Sequence, residues 1–147
     1  MVAVVTALAL ATKTWAECLE EPFTVTCYHY TQDSPGGSGE GAQCVIETGR
    51  NVLVGEGDRE LGKVVVDGGT FYDGFDYVLN SQLPYSVVIH ANKNLEDGYM
   101  DYAAQHHDFN RGDPTPPCVK YPDWSYPEGT DRPAFKEAVA CTFDSEC

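Results

Sequence analysis

Four histidines, His29, His90, His106 and His107, are the side chains best suited to moving a proton near neutral pH. His29 and His90 fall in segments that read as strands, so a fold could bring them together as an acid–base pair. His106, His107 and Asp108 run consecutively and could supply metal ligands or a general base. Adjacent residues on a helix point about 100° apart, so the two imidazoles do not easily face one metal; an exposed helix end is the favoured reading. Carboxylate pairs such as Asp73 with Asp76 and Glu96 with Asp97 follow from the density of 23 acids. A glycosidase needs two carboxylates at a set separation across a cleft, which spacing alone does not display. Tyr121, Trp124 and Tyr126 are candidate binding residues that could stack on a ligand, although pinning a proline-rich loop to the core is the plainer role. Arg111-Gly112-Asp113 is an integrin-type tripeptide in an expected loop, and it is also ordinary turn chemistry.

Other signatures are missing. The chain has no Gly-x-Ser-x-Gly, His-Glu-x-x-His, phosphate-binding or calcium-binding loop, and no Asn-x-Ser/Thr sequon. Zinc would want Cys-x-x-Cys or a cysteine near the histidine pair, and neither occurs. No metal or cofactor is expected.

The six cysteines, Cys18, Cys27, Cys44, Cys118, Cys141 and Cys147, follow an apolar run from Val2 to Ala11. Thr14-Trp15-Ala16 places small residues where a signal peptidase reads them. Residues 1–16 are thus expected to be a signal peptide, and 17–147 a single disulfide-stabilised domain. The even cysteine count predicts three disulfides in an oxidising, extracellular compartment; the pairing stays open. The net charge is −14, with cations scattered singly, so generic nucleic-acid or anionic-membrane binding is disfavoured. A basic partner could be steered in, or the charge could simply keep the chain soluble and monomeric.

The elements that must position these groups are mostly short strands. Phe23–Tyr30, Gln43–Glu47, Asn51–Val54, Gly62–Val66, Thr70–Tyr72, Phe75–Leu79 and Pro84–His90 read as strands, and Ser34–Gly41 as a flexible loop. Asn94 could cap a short helix near 94–106, with Leu95, Tyr99, Tyr102 and Ala103 on one face. Ala134–Thr142 fits either a strand or a helix. The expected fold class is mainly β (α+β), a compact antiparallel sheet or sandwich with that one helix, stapled by disulfides.

Two segments resemble the secreted guanyl-type ribonucleases of fungi. Tyr72-Asp-Gly-Phe-Asp-Tyr77 followed by Pro84-Tyr85 is similar to that family's Tyr-Glu-Gly-Phe-Asp-Phe followed by Pro-Tyr. Pro127-Glu-Gly-Thr-Asp-Arg132 with Phe135 is similar to its Pro-Gly-Ala-Asp-Arg with a Phe. The family cleaves RNA through a 2′,3′-cyclic phosphate, using a carboxylate base, two histidines and an arginine. Of these the resemblance carries over only the arginine, onto Arg132. Val87 stands near the base position, and Glu137–Phe143 replaces the terminal histidine segment.

The profile resembles small cysteine-rich secreted fungal effectors. The expected function is non-catalytic binding of an extracellular or host partner. The alternative is a secreted ribonuclease-like hydrolase, degenerate here, with Arg132, His90 and His29 as its surviving candidates.

Overall fold

The computed structural model describes residues 20–34, 37–66, 68–120 and 134–145. The alternating Thr, Val and aromatic residues of Phe23–Ser34 form β1. It pairs antiparallel with β2 (Gly37–Thr48) on one side and β9 (Ala134–Phe143) on the other. With β3 (Glu60–Val66) and β8 (Cys118–Lys120) they make a five-stranded sheet in the order β3-β2-β1-β9-β8. A six-residue helix, α1 (Gly68–Asp73), leads into a second antiparallel sheet. Its strands are β4 (Phe75–Leu79), β5 (Val87–Ala91), β6 (Asp97–Tyr102) and β7 (Gln105–Asn110), in that order. The fold is therefore mainly β, as the patterning implied.

The inner faces of the two sheets share one core. Phe23, Val25, Cys27, Ile46, Val139 and Phe143 come from the first, and Phe75, Val87, Ile89, Met100 and Tyr102 from the second. Phe23 meets Tyr102 edge-on at 4.8 Å and stacks on Phe143 at 5.5 Å, locking the sheets together. Full burial of each such side chain contributes about 1.5–3 kcal/mol.

Two disulfides staple neighbouring strands of the five-stranded sheet. Cys27–Cys44 joins β1 to β2 and Cys118–Cys141 joins β8 to β9, each pair directly opposite in register. Cys18 and Cys147 lie outside the described residues.

Several segments depart from the expectation. No helix spans 94–106: a 3₁₀ turn over Lys93–Leu95 is followed by the β6–β7 hairpin. The spacing of Leu95, Tyr99 and Tyr102 imitates a helical face, but the true period is two. Met100 and Tyr102 are buried, while Asp97, Tyr99 and Asp101 alternate with them. Asn94, the expected cap, has φ 57° and ψ 26°, outside helical space. Asn51–Val54 is a turn, not a strand. Asn51 is left-handed (φ 53°), and its amide donates to Thr142 Oγ1 at 3.1 Å instead of joining a ladder. Ser34–Gly41 is largely strand: the β1–β2 ladder runs on to Ser34 opposite Gly37. Thr70–Tyr72 belongs to α1.

The loop after β2 folds back over the sheet end. Glu47, only 5% exposed, accepts hydrogen bonds from the amides of Gly55 (2.8 Å) and Gly57 (2.9 Å). Such charge-assisted bonds are what make a buried carboxylate tolerable.

Candidate functional site

The site is built by strand register. On β5, Val87, Ile89 and Ala91 point into the core, so Val88 and His90 point out, away from the five-stranded sheet. His90 sits opposite Asp76 on β4 and Tyr99 on β6, and Tyr99 sits opposite Asp108 on β7. One row across the outer face thus reads Asp76, His90, Tyr99, Asp108. The neighbouring row reads Val78, Val88, Asp101, His106.

These residues are in contact. His90 Nδ1 lies 2.5 Å from Asp76 Oδ1; an ionised carboxylate only accepts, so Nδ1 is the donor of this pair. The His90 ring stacks on Tyr99 at 5.0 Å and 22°. On the far side Tyr99 meets His106 at 5.1 Å. His106 is bonded at both nitrogens, Nδ1 to Asp101 and Nε2 to Asp108 at 3.1 Å. The hydrogen bond to Asp101 raises the His106 pKa above the ordinary histidine value. Desolvation opposes it, and the Asp101 charge and then the Asp108 hydrogen bond and charge reinforce it.

An imidazole that donates from both nitrogens is an imidazolium with no lone pair, so His106 in this arrangement cannot act as a base. A shallow depression of about 390 Å³ adjoins the row, lined by His90, Asn92, Asp97, Gly98, Tyr99, Asp108 and Phe109.

No family model, curated protein or solved structure matches this chain.

The other sequence candidates are dispersed. His29 is 3% exposed, at the bulge of β1 on the core side beyond Cys27. Its Nε2 lies 3.2 Å from the Tyr72 hydroxyl and its Nδ1 3.9 Å from Glu137 Oε2, so it ties α1 to β9. The expected juxtaposition of His29 with His90 does not occur. They belong to different sheets, and His90 is on the face turned away from His29. His106 and His107 are not at a helix end but adjacent on β7, on opposite faces; His107 packs against Phe143 at 4.6 Å. Val87 is fully buried. Tyr121, Trp124, Tyr126 and Arg132 lie outside the described residues. Among the described residues no group of three or more His, Cys, Asp or Glu could hold a metal ion. No helix among them is long and apolar enough to cross a membrane.

Tyr99 and the pairing of His90 and His106 with aspartates were missed as site features. The signal was present in the alternation Tyr99/Asp101 and His106/Asp108, which the helical reading of this stretch obscured.

Proposed function

We propose that the protein is secreted and acts without catalysis, as an effector-like module that binds an extracellular or host partner through the outer face of the four-stranded sheet. The observation that carries this reading is the engagement of both His106 nitrogens by carboxylates. It favours the protonated form of one of the two histidines on the face, which then has no lone pair with which to take a proton from a substrate. Around it the face sets Asp76, Asp97 and Asp108 beside the apolar Val78, which is 65% exposed. Carboxylates with an aromatic and an aliphatic anchor suit a partner that offers lysine or arginine beside an apolar group. The disulfides suit an oxidising, extracellular-type environment.

The competing ribonuclease-like reading would lean on the Asp76–His90 pair as base, with Arg132 stabilising the phosphorane. Two measurements separate them. Residue-resolved NMR titration with decalysine is expected to shift the outer-face residues of β5 to β7, in a salt-sensitive manner. A guanosine-containing dinucleotide assay on wild type, His90→Ala and Arg132→Ala is expected to show no cleavage belonging to the protein. Cleavage that either substitution abolishes would replace the binding reading with the enzyme.

A further inference from the structure

Arg111 in the turn after β7 and Lys120 at the end of β8 are two cations that the proposed binding face does not use. A depression of about 370 Å³ lies at that end of the sheet, lined by Glu96, Asp97, Asn110, Arg111, Gly112 and Lys120. That is the size of a small-molecule site. Only 9 Lys and Arg stand against 23 Asp and Glu in the whole chain, yet two of the nine line this one depression. Among the described residues neither Arg111 nor Lys120 forms an ion pair, whereas Arg50 does, with Asp144. Arg111 Nε is closed off from solvent and meets no acceptor among the described residues. A buried N–H without a partner is unfavourable and is relieved by any acceptor brought to it.

The frame around Arg111 is braced. Its backbone amide donates to the Glu96 carbonyl at 2.8 Å. The Gly112 amide donates to Asn110 Oδ1 at 3.0 Å, and the Asp113 amide to the Asn110 carbonyl at 3.1 Å. The guanidinium is therefore presented from a turn that is tied to the start of β6.

We infer that this depression binds a small zwitterion of the amino-acid class, its carboxylate held by Arg111 and Lys120 and its ammonium by Glu96 and Asp97. The guanidinium fork matches a carboxylate in a planar, paired geometry, and Lys120 adds a mobile point charge. The two acids lining the same depression discriminate among anions. A phosphate dianion pairs with the two cations but brings no charge of its own to answer the two carboxylates, whereas a zwitterion brings its cation to them. One Asp97 oxygen already accepts from Asn92 Nδ2 at 2.5 Å, which fixes that carboxylate and leaves its second oxygen for the ligand.

The test is a residue-resolved NMR titration of the intact, oxidised protein with L-alanine, propionate, ethylamine and inorganic phosphate, each in parallel. L-Alanine is expected to shift the amides of Glu96, Asp97, Arg111, Gly112 and Lys120 to saturation. Propionate, which lacks the ammonium, and ethylamine, which lacks the carboxylate, should each bind at least tenfold more weakly. Lys120→Met replaces an exposed side chain, keeps the fold, and should weaken L-alanine at least tenfold; Arg111→Met should do the same. The inference is overturned if L-alanine binds no better than propionate, if phosphate binds more tightly than L-alanine, or if Lys120→Met leaves L-alanine binding unchanged.

Discussion

Replacing Gly98 by alanine separates a strand from a helix by the sign of its effect. In an exposed helix, Gly→Ala stabilises by roughly 1 kcal/mol. On β6 the added methyl has nowhere to go. A Cβ at Gly98 would fall well inside contact distance of the His90 carbonyl oxygen, 2.8 Å from the Phe109 ring and 3.0 Å from Ala91 Cα. The ring could swing aside, but the carbonyl and Cα belong to β5, which is hydrogen-bonded on both sides. Relief therefore requires β5 and β6 to separate where Ala91 faces Gly98, one residue from the His90–Tyr99 pair. Overpacking against side chains costs about 1–3 kcal/mol, and collision with backbone belongs at or above the top of that range, so about 3 kcal/mol is expected. With a urea m-value of about 1–3 kcal/mol/M for a small protein, the unfolding midpoint should fall by roughly 1–3 M. Equilibrium urea unfolding followed by fluorescence measures it. The Tyr99 and His90 resonances should shift in the native state, because the clash lies at their pair. An unchanged or raised midpoint would refute the close approach of the two strands and everything placed on their outer face.

Three further outcomes are expected. Glu47→Gln should lower stability by about 1–3 kcal/mol in urea unfolding, because an amide cannot accept from both Gly55 and Gly57 as the carboxylate does. His106 should titrate by NMR above its ordinary 6.5, and Asp101→Asn should bring it back down. Because the folded state holds that proton more tightly, the stabilisation is complete below about pH 6.5 and is lost as pH rises through the raised value; His106→Asn should flatten this part of the stability–pH curve. Denaturing, non-reducing thiol titration should find no free thiol, and paired Cys→Ser replacement of either described bridge should destabilise by about 3 kcal/mol, given sequence separations of 17 and 23.

What was legible in the sequence was what a period of two reveals. Phe23–Tyr30 and Phe75–Leu79 announce themselves as strands because their apolar and aromatic residues alternate or run together. The β6–β7 hairpin was not legible, since a tyrosine or leucine every three or four residues satisfies a helical face as well as a strand. Only the long-range fact that Gly98 lies against β5 decides between them, and no local window contains it. The site failed for the same reason. Asp76 and His90 are fourteen residues apart and become partners only through register. His29 was rightly placed on a strand, but its burial beneath Tyr72 follows from α1, a helix whose first residues are two glycines.

The placement of the cysteines also divides the molecule mechanically. Both described bridges belong to the five-stranded sheet, and no cysteine occurs anywhere between Cys44 and Cys118. The strands carrying His90, Tyr99 and His106 therefore hang as one long uncrosslinked span between two anchored strands, β2 and β8. Excursions of β4 to β7 break no disulfide between described cysteines, so this sheet can loosen before the stapled strand pairs do. The outer face of the four-stranded sheet rides on the part that carries no crosslink among the described residues, and it can loosen while the bridged pairs β1–β2 and β8–β9 stay joined.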